Sequence, residues 1–134
     1  MVPPFQTLLD LEFTPRSAVV RTARDATSVV MPALSRERRD DVRLLVSEIV
    51  TNSVQHGEPG AERWIRLRVE CGEGMVRVEV RNPGAAIAFE RPARSNEMRE
   101  SGWGLYLLEN LADRWGVSNA AGETCVWFEV DQER

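Results

Sequence analysis

The sequence contains no lysine, and all 17 of its basic residues are arginine. That absence excludes chemistry that needs an amine: the Walker-A phosphate loop, the strand lysine of eukaryotic-type kinases, and Schiff-base catalysis. Any phosphate must instead be held by backbone N–H groups, by arginine or by a metal. Histidine and tyrosine occur once each and cysteine twice. Cys71 and Cys125 lie far apart with no C-x-x-C spacing, so they read as small buried hydrophobes of a reducing compartment rather than as metal ligands or a redox pair. No apolar run approaches the roughly 20 residues of a membrane span. The opening Met1-Val2-Pro3-Pro4-Phe5 has neither the basic start nor the cleavage site of a secretory signal. A cytoplasmic protein without membrane contact is expected. The net charge of −4 argues against direct binding to nucleic acid, whose phosphates call for a basic surface.

What is present fits one globular domain over residues 1–134, with 43% hydrophobic and 28% charged residues. Residues 6–13 read as a strand. Thr14-Pro15 reads as the entry of a helix carrying Val19, Val20, Ala23, Ala26, Val29 and Val30 at helical spacing, to about residue 31. Residues 36–56 give the strongest helix, with an apolar stripe of Val42, Leu45, Val46, Ile49, Val50 and Val54 and Gly57 as its stop. Alternation predicts strands over 63–70 and 75–81, joined at Gly72-Glu73-Gly74. A tight turn follows at Asn82-Pro83-Gly84, then a long irregular loop over 85–101. A helix is expected over about 103–115, and a closing hairpin of 116–120 and 123–130 around Ala121-Gly122. The expected architecture is an α+β two-layer sandwich: a largely antiparallel, mixed sheet with helices on one face.

Four places carry polar chemistry. Glu48, Asn52 and His56 fall at i, i+4 and i+8, along one edge of the long helix beside its apolar stripe. An asparagine there offers Mg²⁺ a neutral oxygen, and a glutamate one turn away can orient or deprotonate a hydroxyl. Asn82 and Gly84 end a strand, where an amide can meet a ligand base and glycine permits close backbone approach. Ser101-Gly102-Trp103-Gly104-Leu105 opens a helix, so its N–H groups and the positive dipole end suit a phosphate. Thr124, in Gly122-Glu123-Thr124, stands on the last strand within reach of a buried base. Taken singly, each also reads as ordinary structure: a polar helix edge, a turn, a helix entry and a strand threonine. His56 reads as a helix-capping residue.

Their order along the chain is more specific. Glu48-x-x-x-Asn52 resembles the N-box of the GHKL (Bergerat-fold) ATPases, Asn82-Pro83-Gly84 their D-x-G box, and Gly102-Trp103-Gly104-Leu105 and Gly122-x-Thr124 their later glycine boxes. The stretches 44–57 and 105–116 resemble the short anti-sigma-factor and serine-kinase branch, and the resemblance spans about residues 14–130. It implies a Bergerat ATP-binding fold with ATP and Mg²⁺ as cofactors. It further implies Glu48 as general base, Asn52 as the Mg²⁺ ligand, and Asn82 reading adenine with Gly84 beneath the base. Gly102, Trp103, Gly104 and Leu105 would offer N–H groups to the phosphates, and Thr124 would bond near the adenine. The partners implied are a STAS-domain anti-anti-sigma factor, phosphorylated on serine, and a sigma factor, with dimerisation common in the branch. The sequence departs from the family pattern at Asn82, where the family carries aspartate, at Ala86, where it carries glycine, and at Trp103, where a smaller or polar residue is common. These departures keep an alternative open: a non-catalytic module that sequesters its partner and binds ATP weakly or not at all.

Overall fold

The computed structural model describes residues 5–16, 18–29, 34–56, 63–84 and 103–132. The chain runs β1 (Gln6–Phe13), α1 (Ala18–Val29), α2 (Arg36–His56), β2 (Ile65–Gly72), β3 (Met75–Pro83), α3 (Trp103–Leu111), β4 (Arg114–Ala120) and β5 (Glu123–Asp131). The strands form one sheet in the order β1-β2-β3-β5-β4, and all four pairings are antiparallel.

Alternation along the strands separates two faces. Ile65, Leu67, Val69, Val78, Val80, Phe128 and Val130 are fully buried and join Val42, Leu45, Val46, Ile49 and Val50 of α2 in one core. The intervening Arg66, Arg68, Arg77, Glu79, Arg81 and Glu129 point to the opposite face, where Arg77 pairs with Glu79 and Glu129, Arg81 with Glu79, Arg66 with Asp10 and Arg68 with Glu70. On that face Arg77 stacks 4.4 Å above the Trp127 ring. Gly116 leaves the space that the indole fills: a Cβ there would sit 2.7 Å from Trp127 Nε1. Each side chain in the core contributes about 1.5–3 kcal/mol by leaving water, so the stripe on α2 decides which way that helix is turned.

Several element boundaries differ from the sequence expectation. α1 begins at Ala18, not at Thr14-Pro15, with the Val19 N–H donating to the Arg16 carbonyl. α3 stops at Leu111, four residues short of Trp115, because Asp113 donates its N–H to the Glu129 carbonyl and starts the β4 ladder. β3 continues through Asn82 and Pro83, where a turn was expected, since Asn82 pairs with Thr124 and Pro83 with Glu123. α2 starts where expected. Ser35 is its N-cap, accepting the Arg38 N–H on its side-chain oxygen at 3.2 Å. Arg63 caps the far end by donating to the Ser53 and Val54 carbonyls. Cys125 is buried and Cys71 half-buried, and both are free thiols. Burial pushes the Cys125 thiol above its ordinary range, in keeping with a packing role.

Candidate functional site

The orientation of α2 sets its polar edge. At about 100° per residue, Ser53 falls near the middle of the buried stripe, Asn52 about 80° from its centre and Glu48 about 120°. Ser53 and Asn52 are both buried, at 8% and 7% exposed, and Glu48, furthest from the stripe, is half-buried. Among the described residues, neither the Asn52 carboxamide nor the Glu48 carboxylate has a hydrogen-bond or ion-pair partner. Each therefore keeps its full capacity at the margin of the core.

Ser53 joins this edge to the sheet. Its hydroxyl lies 3.2 Å from the Ile49 carbonyl and 3.5 Å from Asn82 Oδ1. Asn82 is 5% exposed, and its other side-chain hydrogen bond among the described residues is Nδ2 donating to the Pro83 carbonyl at 3.3 Å. A buried amide held by two long contacts is under-bonded, and such a group costs about 1–3 kcal/mol unless a ligand or water completes it. Sequence reasoning missed Ser53. Its signal was a hydroxyl in the middle of an otherwise apolar helical stripe.

Gly84 and Thr124 form a stitch between β3 and β5. Gly84 has φ +101°, a region that disfavours side chains, and donates its N–H to the Gly122 carbonyl at 2.7 Å. The Thr124 hydroxyl is 2.7 Å from the Gly84 carbonyl and 2.8 Å from Asn119 Oδ1. A hydroxyl has one proton, so it donates to the Gly84 carbonyl or to Asn119 Oδ1, one at a time. Thr124 thus fixes the backbone at Gly84, a role the sequence reading did not assign to it. Asn119, Thr124's cross-strand partner, was also missed, because only the β4·β5 register brings it there.

α3 brings the fourth component. Its buried face is Gly104, Leu105 and Leu108, and it packs on α2. As in any helix, the first-turn N–H groups of Trp103, Gly104 and Leu105 have no intrahelical acceptor. Gly102, Ala86 and the 85–101 loop lie outside the described residues, as do the side chains of Trp103 and His56.

A groove of about 430 Å³ opens on the other side of the sheet, lined by Glu12, Trp64, Arg66, Arg68, Glu79, Arg81 and Glu123. None of Glu48, Asn52, Asn82, Gly84, Thr124 or the residues of α3 lines it. Its three arginines meet three glutamates, and ion pairs already engage it: Arg66 with Asp10 at 2.9 Å and Arg81 with Glu79 at 3.3 Å. A charge-balanced groove of this kind offers little to a triphosphate. Among the described residues, no group of three His, Cys, Asp or Glu side chains is placed to hold a metal, and no helix is long and apolar enough to cross a membrane.

The histidine kinase-like ATPase domain family matches residues 13–130. An anti-sigma F factor of Pasteuria penetrans is 29% identical over 128 residues, covering 88% of this chain and 85% of the relative. One of Bacillus thuringiensis (strain Al Hakam) is 30% identical over 114 residues, covering 78% of each. The fold is similar to the crystal structure of the RsbU and RsbW domains of Rv1364c from Mycobacterium tuberculosis, with a TM-score of 0.62 and 20% identity. That match covers 94% of this chain but only 33% of the mycobacterial one. A blue-light activated histidine kinase of Erythrobacter litoralis EL346 gives a TM-score of 0.61 at 22% identity, covering 88% of this chain and 42% of that one. With the family model matching residues 13 to 130, the chain belongs to the histidine kinase-like ATPase domain family and is similar over most of its length to anti-sigma F factors.

Proposed function

We propose that the chain is a cytoplasmic anti-sigma regulatory factor that binds Mg·ATP at the Asn52/Asn82 edge and phosphorylates a serine of a STAS-domain anti-anti-sigma partner. The observation that carries this reading is the pair of buried carboxamides, Asn52 on α2 and Asn82 on β3, under-bonded among the described residues, with Glu48 one turn from Asn52. Those residues fit the nucleotide. Asn82 has unfilled capacity for a purine edge, and Gly84 beneath it carries no side chain. Asn52 presents one neutral oxygen, and Mg²⁺ typically takes one or two protein ligands and fills the rest with water and phosphate oxygens. The first-turn amides at Trp103, Gly104 and Leu105, with Gly102 preceding them, suit phosphate without any lysine.

Bound ATP would supply the transferable phosphoryl group. Glu48 would take the proton of the serine hydroxyl that the partner presents, and no arginine pairs with it among the described residues. Thr124 would act through Gly84, holding the floor of the base site. The names of the relatives support a sigma factor as a second partner, and the uncovered, charge-balanced sheet face suits pairing with a second copy of the chain.

The test is calorimetric titration with Mg·ATP, then a phosphoryl-transfer assay on a STAS protein recovered from the native host. Binding in the micromolar to sub-millimolar range is expected, about 5–8 kcal/mol. Glu48→Ala should abolish transfer and keep ATP affinity, and persistence of transfer would remove Glu48 as the base. The amide at position 82 favours a second reading, a sequestering module without turnover. Absence of thermal stabilisation at millimolar ATP would select it.

A further inference from the structure

Arg38 is 3% exposed yet stands at the start of α2, far from the Asn52/Asn82 edge. Its guanidinium is shared among four acceptors on three elements. Nη2 pairs with the Asp113 carboxylate, and Nη1 reaches Asp41 at 3.3 Å and the Leu111 carbonyl at 3.4 Å. Nε reaches the Asp131 carbonyl at 3.4 Å. Asp113 also accepts the Asp131 N–H at 2.8 Å, and its own N–H goes to Glu129. The C-terminus of α3, the turn into β4 and the end of β5 are thus pinned to the first turn of α2 by one side chain.

Pinning one end of α3 places the other. The nine residues Trp103–Leu111 rise about 13 Å, and the same rise along α2 from Arg38 ends near Ser47. Since α3 lies against α2, its first-turn amides fall about level with Glu48 and one turn from Asn52. We infer that Arg38 and Asp113 are positioning residues that set the height of α3 on α2, so that its N-terminal N–H groups line up with Glu48 and Asn52 to receive nucleotide phosphates. This rests on the Mg·ATP reading above. A guanidinium suits the task because its five donors spread in a fixed fork, whereas a lysine ammonium donates from one atom.

The test compares the unaltered chain with Arg38→Lys and with Val19→Ala, a core substitution on α1, which supplies no group to the clamp. Affinities for Mg·ATP and for adenosine are measured by titration, and amide hydrogen exchange is followed at residues 104–108 and 65–69. For Arg38→Lys, ATP affinity should fall roughly tenfold, with adenosine changed by less than about twofold. Exchange should quicken at 104–108 while 65–69 stays protected. Val19→Ala should alter neither the ATP-to-adenosine ratio nor the exchange contrast. Should Arg38→Lys fail to fold, Asp113→Asn serves as the second variant, since it removes the charge and retains a carbonyl for the Asp131 N–H. Parallel weakening of ATP and adenosine, or unchanged exchange at 104–108, would overturn the inference. Absence of any ATP binding by the unaltered chain would overturn the nucleotide reading instead, and this inference with it.

Discussion

Replacing Asn82 with aspartate should move stability and affinity in opposite directions. Position 82 is 5% exposed, and Nδ2 donates to the Pro83 carbonyl at 3.3 Å. The introduced carboxylate loses that donor and brings a charged oxygen toward the same carbonyl. The Ser53 hydroxyl, 3.5 Å away, is then the remaining donor among the described residues. A buried carboxylate held by one long contact should cost about 1–3 kcal/mol in the nucleotide-free chain. With ATP bound, the carboxylate accepts from the adenine amino group through a charge-assisted bond, roughly twice as strong as a neutral one. The gain of about 1–2 kcal/mol corresponds to roughly 5–30-fold tighter binding. A carboxamide can turn either its NH₂ or its oxygen to a purine edge, whereas a carboxylate only accepts. Asn82→Asp should therefore raise the preference for ATP over inosine triphosphate, which carries an oxygen in place of the amino group. Thermal melts without nucleotide and calorimetry with both nucleotides read all three effects. An ATP affinity that stays constant or falls, or an equal gain for inosine triphosphate, would refute the placement of Asn82 at the base.

Two further outcomes follow from the sheet. Gly116→Ala drives a methyl group to within 2.8 Å of the Trp127 ring and should displace the indole from beneath Arg77. The expected loss is about 1–3 kcal/mol, read as a lower denaturation midpoint at unchanged ATP affinity, because this face lies across the sheet from Asn82. The Arg66 guanidinium, hydrogen-bonded to Asp10 and attracting its charge, holds the Asp10 carboxyl below its ordinary value, against a smaller opposing effect of burial. A lowered folded-state pKa gives stability that is present above the ordinary carboxylate pKa and lost as pH falls through the folded value. Asp10→Asn should accordingly destabilise the chain near neutral pH and converge with the unaltered protein in strong acid, as followed by denaturation at a series of pH values.

Much of this protein was legible in the amino-acid sequence. Periodicity placed α2 because its apolar side chains recur with the helical repeat, and the same repeat put Glu48 and Asn52 on the rim of that stripe. The missing lysine left backbone amides, arginine or a metal to hold phosphate, and Gly104 sits at a helix start. Local pattern failed where a partner strand decides the outcome. Asn82 and Pro83 read as a turn but extend β3, because Thr124 and Glu123 lie opposite them. Trp115 reads as helix but belongs to β4, since the ladder with β5 begins at Arg114. Tertiary structure alone brought Ser53 to Asn82, Thr124 to the Gly84 carbonyl, and Arg38 to Asp113 across 75 positions. Helical and strand periods are short-range properties of the chain, whereas these contacts depend on how the sheet orders its strands and how deeply the helices pack on them.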